Sequence, residues 1–452
     1  MKRIATVIVC FWVISVCLWA VSSPEEAQKY WPAWRGPDAT GVAPLGNPPI
    51  EWSENQNVRW KIEIPGKGHA SPVVWGNTIF VTTAIPTEVR VEPQMTEDVQ
   101  PQERRGGRRG GGRGGEQPTQ IHKFDLLAID RRDGRILWQR TAHEELPHEG
   151  TRPEGSWASN SPVTDGEHVY AYFGSHGLYC FDMQGNLQWE KDLGNMAIKM
   201  GFGEGSSPAL YGEVVIVNWD HEGGSFITAL DKKTGEERWR VERDEGTSWS
   251  TPIVVEHNGG QQVITSATRR TRSYDLATGK LLWECSGMTD NTIPSPVSAD
   301  GMVYVMSGFR GNALQAIRLA SASGDITGAQ AITWEYNRDT PYVPSPLLYG
   351  DVLYFLKSNN GLLSCFNAKT GEAYYGPQRL EGISSVYASP VGASNRVYIA
   401  DRDGVTLVIQ HGPEFKVLAQ NVLDDGFDAS PAIVGNEIYL RGRKYLYCIA
   451  SD

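Results

Sequence analysis

Several chemistries are ruled out by what the sequence lacks. It has no Gly-x-Ser-x-Gly elbow, no phosphate-binding P-loop and no His-Glu-x-x-His zinc motif. No Cys-x-x-Cys-His segment is present for covalent haem attachment. An excess of basic charge is missing too: the formal net charge is −11, the wrong sign for a nucleic-acid-binding face. Six cysteines occur in 452 residues, and Cys10 and Cys17 fall in an N-terminal targeting segment. Of the other four, Cys180, Cys365 and Cys448 recur at one repeat position, so they read as small buried apolar residues rather than disulfide partners.

That targeting segment has Lys2 and Arg3 before an apolar stretch from Ile4 to Ala20, then Ala20-Val21-Ser22. This is the pattern of a signal peptide over residues 1–22, cleaved near Ser22, and it predicts a periplasmic or secreted protein. The apolar stretch is a little short for a bilayer span. Cys17 follows Val16, where a lipoprotein signal would carry a small residue.

What is abundant is glycine (49) and tryptophan (15), a composition of turns and short strands. A Ser/Thr-Pro pair precedes a β-run eight times, at Ser71, Ser161, Ser207, Thr251, Ser295, Ser345, Ser389 and Ser430. Successive spacings are 90, 46, 44, 44, 50, 44 and 41 residues, the length of one four-stranded propeller blade after the first. Within each unit runs such as Val303-Tyr304-Val305 supply second strands. Ala128-x-Asp130-x-x-Asp133-Gly134-x-x-x-Trp138 then recurs as Ala229 to Trp239 and Ser273 to Trp283, and as Cys365 to Tyr375 with Tyr for Trp. The Asp caps a turn, the Gly takes positive φ, and the Trp packs on a neighbouring blade. These are structural roles.

This motif and period resemble the PQQ-repeat (quinoprotein-like) family over roughly residues 58 to 450. Its members include an outer-membrane assembly lipoprotein and PQQ-dependent dehydrogenases. The expected fold is all-β: an eight-bladed β-propeller of four-stranded antiparallel blades. The unit from Ser430 has only three strands, and Val58-Arg59-Trp60-Lys61-Ile62 would supply the fourth, closing the ring with an N-terminal strand. Residues 23–57 form an aromatic lead-in expected to pack over the 58–452 propeller. An insertion over about 85–120, with Arg104-Arg105-Gly106-Gly107-Arg108-Arg109, has no β-pattern and is expected to be a disordered loop.

Loops entering the innermost strands should build the funnel mouth. That places His69, Trp157, Asn160, Glu204, Trp249, Tyr342, Tyr387 and Asp428 in a tentative ligand-binding ring. The resemblance raises PQQ with calcium as a cofactor pair and an alcohol or sugar dehydrogenase as an activity. No adjacent cysteine pair is present, and no Glu–Asn–Asp calcium set can be assigned by motif. The primary expectation is therefore a non-catalytic scaffold, without cofactor or metal, that binds a protein or envelope component. A carbohydrate-binding propeller is a further alternative, suggested by the aromatics. His143-Glu144-Glu145 with His148-Glu149 reads as a loop cluster without rigid metal-ligand spacing, and Asp401-x-Asp403-Gly404 as a hairpin turn.

Overall fold

A computed structural model describes residues 24–91 and 118–451. Eight antiparallel sheets are arranged around one ring. Blade one runs Val73–Trp75, Thr78–Arg90, Gln120–Asp130 and Ile136–Glu145 from the inside outward. Blade eight is Ala432–Val434, Glu437–Arg441 and Tyr445–Ala450, completed by the N-terminal strand Val58–Glu63 paired to Tyr445–Ala450. The ring is thus closed as the sequence predicts, with no unpaired blade edge at the join.

The repeated residues explain the ring. In seven consecutive seams, the N–H of the Ser or Thr before Pro donates to the hydroxyl of the next blade's pair, at 2.9–3.0 Å. Innermost strands are edge strands facing the axis, where proline is tolerated. At the outer end five of these Trp side chains dock on the following blade. The indole N–H of Trp60, Trp138, Trp189, Trp239 and Trp334 donates to the carbonyl of Arg131, Met183, Lys232, Leu276 and Ala368 respectively. A Cβ on Gly134 would lie 2.8 Å from the Trp60 ring, so the indole packs flush on a turn that already needs φ of +77°. The four cysteines among the described residues are buried and free, as the repeat position of Cys180, Cys365 and Cys448 implies.

Two features depart from the sequence reading. Blade four gains a fifth, two-residue strand, Gly324–Asp325, parallel to Leu281–Cys285. The insertion begins as a bulged extension of the hairpin, because Ile85, Pro86 and Arg90 pair with Lys123, His122 and Gln120. Pro86 and Glu88 hid this from the pattern, while Thr87 braces the two strands through its hydroxyl and carbonyl. The Arg/Gly-rich run itself and the signal segment lie outside the described residues.

The lead-in packs over the lower opening of the ring and adds backbone hydrogen bonds to several inner strands. Trp31 exchanges two with Val74, Thr40 accepts from Leu348, Gly392 bonds both Gly41 and Ala43, and Asn47 donates to Gly435. Arg35, 2% exposed, reaches the carbonyls of Pro346 and Pro390 at 2.6 and 2.7 Å. Burial with no carboxylate beside it pushes that guanidinium down to about 9. The open end of the channel is therefore the other face, where the loops into the inner strands and the turns between second and third strands emerge.

Candidate functional site: the propeller mouth

All eight residues named from sequence stand at the mouth, and the structure divides them among separate sectors. In the sector of blades two and three, Glu204 accepts from the Ser175 N–H at 2.7 Å and its hydroxyl at 2.5 Å. Burial pushes the Glu204 carboxyl up to about 7, against the two Ser175 hydrogen bonds that favour the charged form. The Trp157 indole donates to the Glu149 carbonyl, and its ring centroid is 4.6 Å from His122. Trp249 donates to the Gly203 carbonyl and meets Phe202 edge-on. Asn160, 1% exposed, turns inward to the Ser206 carbonyl and serves the scaffold. Glu149, Trp157, His176 and Glu204 line a cavity of about 10 Å³, room for about one water molecule.

A raised carboxylate has a definite signature. The folded state keeps Glu204 protonated between the usual carboxylate range and about 7, whereas the unfolded chain releases that proton earlier. Stability from this group is full below the unfolded value and falls as pH rises through 7. Glu204→Gln is expected to flatten that fall. Urea midpoints of both proteins from pH 4.5 to 8 check this; parallel curves would place Glu204 in water.

In the sector of blades seven, eight and one, Asp428 accepts from Arg402 Nε at 2.6 Å and Arg443 Nε at 2.8 Å. His69 Nε2 lies 3.8 Å from Asp428, but burial lowers this imidazole to about 4. At neutral pH that contact is between a neutral ring and a carboxylate, not an ion pair. Arg402 also lies over the Tyr387 ring, 4.1 Å from its centroid. Tyr342 is stacked on Phe309 at 4.8 Å.

Sequence reasoning missed several of these partners. Arg402, Arg443 and His176 come from turns between second and third strands, which emerge beside the loops it considered. His143, Glu144 and Glu145 lie on a strand, Ile136–Glu145, and not in a loop. Glu145 bonds His176 Nδ1 and lies 3.4 Å from His143 Nε2, while Phe124 stacks on His176 at 4.0 Å. Asp401 does cap a hairpin turn, accepting from the Asp403 and Val405 N–H groups.

Calcium with a planar quinone would need carboxylates converging on one point over the channel. Glu204 and Asp428 are each taken up by their own neighbours in different sectors. Among the described residues, the one trio of possible metal-ligating atoms within 4.8 Å of one another is Asp165, Glu167 and His168. It lies on the opposite face, and the Lys232 ammonium sits 3.0 Å from Asp165 there. The two mouth carboxylates named from sequence, Glu204 and Asp428, therefore do not converge on one ion.

The family model for outer membrane protein assembly factor BamB matches residues 122–286 and 223–452, well over half of the chain. The protein belongs to the BamB family. The crystal structure of BamB from Moraxella catarrhalis is similar, with TM-score 0.54 and 14% identity over 86% of this chain and 96% of that one. Quinohemoprotein alcohol dehydrogenase from Comamonas testosteroni superposes with TM-score 0.64 and 12% identity, covering 96% of this chain and 82% of that one. At such identities these likenesses carry the BamB-type fold alone. No curated protein matches the sequence. Among the described residues of this BamB-family chain, no helix is long and apolar enough to cross a membrane.

Proposed function

We propose that the protein is a non-catalytic envelope scaffold that binds other proteins on its mouth face. One observation carries this reading. The charged groups of the mouth are already held by neighbours in separate sectors, leaving a mosaic of aromatic, arginine and polar side chains. Tyr, Trp and Arg are the residue types that dominate protein–protein contact energies. Membership of a family described as assembly factors supports the same reading. The signal-peptide pattern of residues 1–22 supports a periplasmic or secreted location.

The similarity to a quinohemoprotein dehydrogenase supports a second reading, a PQQ- and calcium-dependent oxidoreductase. The two readings make different demands on the same face. A scaffold engages proteins there whether or not cofactor is added; a dehydrogenase binds PQQ there and reduces a dye with alcohols or sugars. Photo-crosslinking from the mouth, with and without PQQ and calcium, is the experiment that separates them.

A further inference from the structure

On the face opposite the mouth, one seam between blades is left unfilled. The residue after the turn Asp or Asn, or after Gln410 in blade seven, donates its N–H to the same carbonyl of its own blade: Arg131 to Asn77, Lys232 to Glu213, Leu276 to Gln261, Ala368 to Asp351, His411 to Asn395. These positions are structurally equivalent, and their side chains fill the seam toward the preceding blade. Arg131 bonds Glu437 and the Gly76 and Val434 carbonyls. Lys232 pairs with Asp165 at 3.0 Å and Glu213 at 3.2 Å. His411 stacks on Tyr349 at 4.1 Å. At the seam of blades five and six the filler is only a methyl group, Ala368, and a cleft of about 290 Å³ opens there. That is close to the lower end of small-ligand sites.

The cleft keeps the surroundings of a basic residue. Its lining includes Met302, Tyr304 and Leu348, with Asp300 and Asp351 beside them. Asp351 occupies the place of Glu213, and Asp300 lies in the same turn as Asp165 does in blade two. At the Lys232 seam two acids hold two lysines, since Lys233 also pairs with Glu213 at 3.4 Å. At the Ala368 seam two acids hold one: Lys369, 2.8 Å from Asp351 and 3.9 Å from Asp300. The Tyr439 hydroxyl takes a hydrogen bond from Arg131 at 3.0 Å. Its counterpart on Tyr304 has no hydrogen-bond partner among the described residues.

We propose that this cleft is a docking pocket for a lysine or arginine side chain from a partner protein, seated as Lys232 and Arg131 are seated at their own seams. The scaffold reading enters only in taking that cation from a protein. The apolar floor would cover the alkyl stem and the two aspartates would meet the charge.

The test uses n-butylguanidinium as probe and n-pentanol as its uncharged counterpart, by NMR titration of the full chain. Butylguanidinium is expected to saturate in the ~1–10 mM range and pentanol to bind about tenfold more weakly or not at all. Ala368→Lys, which supplies the missing side chain, should weaken the probe about tenfold and raise the melting temperature. Asp300→Asn with Asp351→Asn should weaken it similarly. Arg318 on the rim opposes a cation, so Arg318→Gln should tighten binding about twofold. Equal binding of the two probes, no saturation by about 50 mM, or an unchanged affinity in Ala368→Lys would overturn the proposal. The two-probe comparison on the unaltered protein stands even where a variant fails to fold. Absent mouth crosslinks with butylguanidinium still bound would fault the scaffold reading and leave the cation pocket standing.

Discussion

Asp220→Ala is expected to destabilise the protein by about 3–5 kcal/mol, the cost of leaving a buried charge without its partner. Arg243 is buried completely, with Asp220 on Nε at 2.8 Å and on its far nitrogen at 3.0 Å. Its remaining nitrogen donates to Thr265 and Tyr274, both at 2.8 Å. The Asp220 carboxylate, with Tyr274 beside it, holds the guanidinium in its charged form against desolvation. Asp220 also accepts from the Ser248 hydroxyl at 2.6 Å, so one carboxylate ties two strand ends to a mouth loop. Removing both charges with Asp220→Asn and Arg243→Met should recover much of the loss, because the pair costs desolvation to bury. Urea unfolding of the single and double variants measures this. A single-variant loss under about 1 kcal/mol would mean that water reaches the pair and that this part of the mouth is not rigid.

Trp60→Ala should cost a comparable ~3–5 kcal/mol, by removing a buried indole from the join of the ring. Trp60 is 9% exposed, packs on Gly134, and donates to the Arg131 carbonyl at 3.0 Å. Trp283 is the informative control. It is buried to 1%, yet its indole bonds Gln262 of its own blade at 3.0 Å. Both alanine variants lose core volume, but only Trp60→Ala loosens the strand that closes the circle. Limited proteolysis distinguishes them: Trp60→Ala should release the N-terminal segment early, and Trp283→Ala should not. Equal cleavage patterns would show that the closing strand is held by its hydrogen-bonded pairing with Tyr445–Ala450 alone.

The fold was legible because its determinants repeat along the chain. A hydroxyl before proline, a capping Asp and a docking Trp each recur at blade spacing, and each makes the same contact in successive seams. Interactions that occur once leave no such trace. The lead-in holds the ring through single hydrogen bonds such as Asn47 to Gly435, which have no period to detect. Extension of blade one past Ala84 was masked by Pro86 and Glu88 within an otherwise alternating run. At the mouth, position in the repeat picks out Glu204, Trp157 and Asp428 by their place in the loops that enter the inner strands. Their partners Ser175, Glu149 and Arg402 lie 29, 8 and 26 residues away and follow no motif. The unfilled seam was readable in principle, since Ala368 follows Asn367 where Arg131 follows Asp130 and Lys232 follows Asp231.

The measurement that tests the scaffold account most directly is photo-crosslinking from single benzoylphenylalanine substitutions in the envelope fraction. Tyr342 and Tyr387 report on the mouth, and exposed Leu187 and Val417 report on outer strands. The account predicts discrete protein adducts from both mouth positions, unchanged by micromolar PQQ and calcium, with none from Leu187 or Val417. Mouth positions that yield no adduct, together with calcium-dependent PQQ binding and dye reduction, would contradict it and establish the face as a quinone site.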